Sequence, residues 1–228
     1  MREYFVWLLK FLTVVVVMLL VPVIVGGVIA AIGGNDMPVS GKNLVAVVEL
    51  KGAIESSREV IEKLHKQINN PKVKGIVLAI DSPGGAVGPA QDIYTEVLRL
   101  KSKKPIVAAM SSVAASGGLY AALGASKIYA QPGTITGSIG VILQIPNFRK
   151  VAEMVGVDMV TIKSGKFKDV GNSFRDMTDE EREFLQSTIG VAYEDFVSAV
   201  STGRGIPPEP VRSFADGRII LGAQAKEL

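Results

Sequence analysis

The sequence predicts an α/β fold: one N-terminal membrane-spanning helix, then a mostly parallel sheet covered by helices. Three observations carry this. From Phe11 to Ile32 no residue is charged, and that run is long enough to cross a bilayer core of about 30 Å at 1.5 Å per residue. Downstream, apolar β-branched runs of strand length recur ("LVAVVEL", "GIVLAI", "PIVAAMSSV"). A turn and a segment of helical period follow nearly every one of them. Strands of such uniform apolarity, alternating with helices, imply parallel pairing with both faces of the sheet covered.

The anchor comes first. A cleaved signal peptide has an apolar region of only about 7–15 residues. The longer run here therefore reads as a retained span, although Ala31-Ile32-Gly33 would loosely suit a signal peptidase. Pro22, Gly26 and Gly27 are tolerated inside such helices. Arg2 and Lys10 precede the run with no competing basic cluster after it, which keeps the N-terminus cytoplasmic and the rest outside. The expected organisation is a cytoplasmic N-terminus and anchor over 1–34, a linker over 35–43, and one domain over 44–228.

Each later element has its own signal. "LVAVVEL" (44–50) is a buried strand, and Gly52 marks a turn. Ser56 with Glu59 fits a capping box, and Val60, Ile61, Leu64 and Ile68 share a helical face, with His65 partly exposed beside it. A strand over 75–80 leads into "DSPGG", a helix follows over about 89–101, and a strand over 105–113 enters a short helix near Ser116. "KIYA" (127–130) is a strand, and "QPGTITGSIGVIL" carries turns and one more. After a helix near 149–155, "DMVTIKSG" reads as a strand running into a loop. Thr178 with Glu181 caps a long helix whose Leu185, Ile189, Ala192, Phe196 and Val200 share a face, and "ADGRIILG" is a turn with a strand.

Composition narrows the chemistry. The 228 residues are 48% hydrophobic and 21% charged with a net charge of +3, so the part beyond the anchor holds one globular domain. The basic residues are scattered, where a nucleic-acid partner would need a basic stripe. Cysteine is absent, which removes disulfides and thiol catalysis, and the single histidine, His65, removes sites needing two. No cofactor or metal is implied.

Three segments can carry chemistry. In "AASGGLYAAL" a strand ends and a helix begins at Ser116. Its hydroxyl would lie at the positive end of the helix dipole, and Gly117 and Gly118 leave backbone N–H groups open to a substrate carbonyl. The competing use of such a serine is to cap the helix. In "DSPGG" two adjacent glycines can turn N–H groups toward a ligand oxygen, or simply make a turn. In "SGKFKD", Lys166 and Lys168 are both candidate general bases. A lysine serves only if its pKa falls from about 10.4 toward 7–8, about 4 kcal/mol of differential interaction, and burial beside Phe167 and Val170 could supply it. With one histidine placed mid-helix, lysine is the remaining base for a serine nucleophile.

In this order, "DSPGG", "AASGG", "TGSIGV", "SGKFKD" and "ADGRI" resemble the signal peptide peptidase A family in its short, single-domain bacterial form, over essentially all of 44–228. The resemblance implies a ClpP/crotonase-like fold and a serine–lysine endopeptidase. It places the nucleophile at Ser116 and the general base at Lys168 rather than Lys166. Ser138 would hydrogen-bond the lysine, and the backbone N–H groups of Gly85 and Gly117 would form the oxyanion site. It further implies cleaved signal peptides as substrates and a homo-oligomeric ring in which a neighbour donates the lysine. The family continues past "A-x-x-L-G" with a further helix, whereas this sequence ends at Leu228, so it reads as truncated there.

Two other readings share the fold: a crotonase-type acyl-CoA enzyme and a catalytically inactive membrane scaffold. For a protease, Val87, Leu119, Ile139 and Val141 predict a pocket for alanine-, leucine- or valine-sized side chains.

Overall fold

The computed structural model describes residues 2–33, 41 and 43–228. The chain divides into two compact units, Met1–Gly41 and Lys42–Leu228. The first consists of α1 (Arg2–Gly33), with Pro22 inside it. Its segment Arg2–Val23 is long and apolar enough to cross a membrane. The helix begins well before the uncharged run, because Tyr4, Trp7 and Phe11 recur one turn apart and stack, with centroids 6.2 and 5.6 Å apart. Of the expected 35–43 linker, all but Gly41 and Asn43 lies outside the described residues.

The second unit runs β1 (Leu44–Lys51), α2 (Arg58–Asn69), β2 (Val73–Ser82), α3 (Val87–Leu100), β3 (Ile106–Ala114), α4 (Gly117–Leu123), β4 (Lys127–Ala130), β5 (Ile135–Gly137), α5 (Arg149–Met154), α6 (Asp179–Arg204), α7 (Pro208–Arg212), β6 (Ile219–Leu221) and α8 (Gly222–Glu227). The sheet order is β1-β2-β3-β5-β6, with β4 also paired to β3. All pairs are parallel except β5–β6. Alternate residues of the central strands, among them Leu78, Ile80 and Ile106, face α2 and α4, and α3 packs on both helices. Leu64, Ile93 and Val97 close this core from the helical side. Each such side chain contributes about 1.5–3 kcal/mol on burial.

Three expectations change. The helix after β1 starts at Arg58, and Ser57 at its N-cap makes no capping bond, so the Ser56–Glu59 box is not formed. Ser57 Oγ instead donates to Asp92 Oδ2 at 2.9 Å, and Glu59 pairs with Lys63. The second change is at "DMVTIKSG", which is not a strand; Val160 and Ile162 are 85% and 96% exposed. Strand-like composition forms a strand only where a neighbour accepts its ladder, and no described segment of the chain does so there. Third, helices cover one face of the sheet, while Val45 and Val47 on the other remain exposed in the single chain.

Candidate active site

The site forms where β3 passes into α4. Ser116 has φ 50° and ψ −122° and stands at the N-cap, yet its side chain makes no capping hydrogen bond. That removes the helix-cap reading and leaves the hydroxyl uncommitted. Among the described residues only Asn43, Ser116 and Ser138 combine a side chain with positive φ. Such backbone costs about 1–3 kcal/mol and persists where surrounding bonds impose it. Here they are Ser116 N–H donating to Gly137 O at 2.9 Å and Ala115 N–H donating to Ser82 O at 3.1 Å.

The Pro-Gly-Gly loop lies against this turn. Gly84 has φ +102°, and a Cβ there would stand 2.7 Å from Gly117 N and 2.8 Å from Ser116 Cβ. A Cβ on Gly117 would lie 3.3 Å from Gly85 N. The amides of Gly85 and Gly117 thus border Ser116 together. Gly117 N–H belongs to the first turn of α4, where no intrahelical acceptor exists, and Gly85 N–H has no acceptor among the described residues. Two unengaged donors beside a serine are what an oxyanion site requires.

Ser82 holds the loop in place, a role that sequence reasoning misses although the residue lies inside "DSPGG". It is fully buried, donates from Oγ to Gly52 O at 2.6 Å, and accepts Gly84 N–H at 3.2 Å. Ser138 is half-buried, with φ 51°, and its N–H donates to Arg218 O at 2.7 Å. The "ADGRI" segment acts here through β6, whose pairing with β5 fixes both Gly137 and Ser138 next to Ser116.

Lys168 is placed differently. It sits in an exposed turn, its N–H donating to Gly165 O at 3.1 Å, and its ammonium has no hydrogen bond or ion pair among the described residues. The expected burial beside Phe167 is not made within the single chain, because Phe167 stacks on Phe184 of α6 with centroids 4.9 Å apart. Lys166 is committed, paired with Glu180 and 5.7 Å over the Phe167 ring. The structure thus brings together Ser116, Ser138, Gly85 and Gly117, while Lys168 makes no contact with Ser116 in one chain.

His65 is not at the site. It bridges α2 to Glu96 of α3. Arg99 first, and His65 second, hold the Glu96 carboxyl down at about 2.

A cavity of about 600 Å³ lies along β5, α4 and α6, lined by Met110, Leu119, Leu123, Gly137, Ile139 and Val200 among others. It contains two of the four predicted pocket residues, Leu119 and Ile139, but not Val87 or Val141.

Several known proteins resemble the chain. The model of peptidase family S49 matches residues 99–228, and that of the NfeD1b N-terminal domain matches 44–153. The chain is 44% identical over 190 residues to a putative protease of Synechocystis, covering 83% of this chain and 69% of that one. It is 36% identical over 174 residues to a putative protease of Methanocaldococcus jannaschii, covering 76% and 56%. It is 38% identical over 168 residues to a putative signal peptide peptidase SppA of Enterococcus faecium, covering 73% and 49%. The chain spans about half of the latter two relatives. Among solved structures, a mutant of the 1510-N membrane-bound stomatin-specific protease shares the fold, with TM-score 0.51 at 18% identity over 82% of this chain and 77% of that one. With a strained serine beside two open amides on a mostly parallel sheet, and with the family model matching more than half of its length, the chain belongs to peptidase family S49.

Proposed function

We propose that the chain is a membrane-anchored serine endopeptidase that cleaves apolar peptides, remnant signal peptides among them, with Ser116 as nucleophile and Lys168 as general base. The observation that carries this is the uncommitted Ser116 hydroxyl, held at positive φ beside the Gly85 and Gly117 amides. In this mechanism Ser116 Oγ attacks the peptide carbonyl and gives its proton to neutral Lys168. The carbonyl oxygen, now negative, accepts from the two amides, and the lysine returns the proton to the leaving amine. Water then cleaves the acyl-enzyme by the same route. Ser138 orients the lysine amine. The substrate class is supported by the apolar cavity next to α4 and by the name that the Enterococcus relative carries.

Lys168 reaches Ser116 from a neighbouring copy in a homo-oligomeric ring. Its free, exposed ammonium supports this, as do the apolar side chains of Ile142, Met154, Val160 and Ile162 left exposed on the segment that carries it. The Arg2–Val23 helix anchors each copy, with the catalytic unit on the outer face of the membrane.

The test is labelling with a serine-directed acylating probe, read by mass spectrometry. Ser116 should carry the adduct, and Ser116→Ala should carry none. A folded wild-type chain that is never labelled and cleaves no peptide would instead favour the acyl-CoA enzyme or the scaffold.

A further inference from the structure

The turn that carries Lys168 is held by a dense set of charged groups. Arg175 has five N–H donors, and all five are used. Nε donates to Asp169 Oδ2 at 2.9 Å, and Nη2 to Asp169 O at 3.2 Å. Nη1 donates to Glu181 Oε2 at 2.7 Å and to Asp176 O at 3.1 Å, and Nη2 also donates to Glu181 Oε1. Glu181 in turn is the N3 residue of the α6 capping box. From the other side Lys163 pairs with Asp169 Oδ1 and donates to Lys166 O at 3.0 Å. Asp169 and Glu181 are nearly out of water, with side chains 11% and 6% exposed.

Asp169 immediately follows Lys168 in the chain, yet it is turned wholly toward Arg175 and Lys163. Other charged groups nearby are also engaged: Lys166 with Glu180, and the Asp176 carboxylate with Arg149 and Asn147. Lys168 is left with no partner among the described residues. A carboxylate free to approach an ammonium favours its charged form. A general-base lysine must instead work as the neutral amine.

We propose that Arg175 is a positioning residue for the Lys168 base: it captures Asp169 and ties the lysine turn to the start of α6, so that the amine is presented without a counter-ion from its own chain. This deepens the proposed mechanism and rests on Lys168 being the base. Arg175 acts twice, as a tether through Asp169 O and as a shield through the Asp169 carboxylate. Arg175 first, then Lys163, hold that carboxyl well below the usual carboxylate range. Lysine at position 175 would keep the charge but could not span both carboxylates and the two carbonyls with one nitrogen.

The experiment uses the full chain in detergent micelles with an apolar peptide substrate, following kcat and KM from pH 6 to 10. Arg175→Ala should lower kcat by roughly 10- to 100-fold with KM nearly unchanged, the scale of loss for a displaced catalytic group. The rising limb of its pH–rate profile should move to higher pH. Adding Asp169→Asn to Arg175→Ala should bring the limb back without restoring full kcat, because the tether stays cut. Arg175→Lys should fall between wild type and Arg175→Ala, and Arg212→Gln, at a surface pair with Glu194, should behave as wild type.

A limb that does not move in folded Arg175→Ala, or one that Asp169→Asn fails to return, overturns the inference and reduces Arg175 to a structural part. Should Arg175→Ala not fold, Asp169→Asn alone decides: its limb must not move upward, and an upward move overturns the shield. Lys168→Ala is measured alongside. If it retains turnover, the base assignment itself fails and this inference falls with it. If it is dead while the Arg175 variants keep the wild-type profile, only the positioning role is lost.

Discussion

Ser116 holds a backbone conformation that a side chain tolerates poorly, and it does so without the capping bond that a serine at a helix start usually makes. The conformation is imposed from outside, by the carbonyl of Gly137 and by the close approach of Gly84. Ser116→Ala keeps the same Cβ and the same strain, so its thermal midpoint should match wild type while peptide turnover falls roughly a thousandfold or more. Comparable turnover in the two would remove the nucleophile assignment. Gly84→Ala should behave differently. Its new Cβ would meet Gly117 N at 2.7 Å at a φ of +102°, so the variant should lose about 2–4 kcal/mol in a denaturant melt as well as its activity. The two lysines are separable at this scale too: Lys168→Ala should be inactive, whereas Lys166→Ala, which loses a surface pair with Glu180, should keep substantial turnover.

In the proposed mechanism the N-terminus of α6 bears on the site through Arg175, which Glu181 holds. Thr178 caps it, with Glu181 N–H donating to Thr178 Oγ1 at 3.2 Å and Thr178 N–H donating to Glu181 Oε2 at 3.0 Å. Thr178→Ala should cost about 1 kcal/mol in a denaturant titration. Glu181 also answers to pH. Its carboxyl is lowered from an ordinary 4.5 to about 2, chiefly by Arg175 and then by the Thr178 N–H. A depressed carboxylate stabilises the fold above its unfolded value, and that contribution is lost as pH falls from 4.5 toward 2. The thermal midpoint should therefore drop between about pH 5 and pH 2, and Glu181→Gln should flatten that drop while lowering the midpoint at neutral pH. An equally steep acid drop in Glu181→Gln would assign the effect to other carboxylates. Glu96, held to about 2 by Arg99 and His65 between α3 and α2, titrates over the same window and is the group to vary next.

At the scale of the whole molecule, the single chain leaves two surfaces unfinished: the open face of the sheet at Val45 and Val47, and the apolar segment around Val160 and Ile162. Apolar patches of this kind mark sites of association. Replacing Val160 and Ile162 together by aspartate should reduce the native mass in detergent to that of one chain and abolish turnover. An unchanged assembly would show that this segment is not part of the contact. Topology is tested on intact membranes. Protease added to the outer face should degrade residues 37–228 if the proposed orientation, with Arg2 and Lys10 on the inner side, holds. Protection of that unit would reverse the orientation.

Elements whose reason for folding is local could be read from the amino acids alone. The apolar runs of β1, β2 and β3, the face of Val60, Leu64 and Ile68, and the Thr178–Glu181 box all carry their period or cap within a few residues, and all formed. The strand-to-helix position of Ser116 was legible for the same reason. What depended on distant partners was not. "DMVTIKSG" has strand composition but no neighbouring strand among the described residues of its own chain, and because α2 starts one position later, with Ser57 drawn to Asp92, Ser56 Oγ accepts Arg58 N–H at 3.3 Å in place of the bond to Glu59 that the box required. The positive φ of Ser116, its alignment with the Gly85 and Gly117 amides, and the hold of Arg218 on Ser138 arise from hydrogen bonds between segments far apart in sequence, and only the tertiary structure could decide them. The exposure of Lys168 belongs with these: the Phe167 ring stacks on Phe184 of α6, a partner distant in sequence, and leaves its neighbour Lys168 exposed.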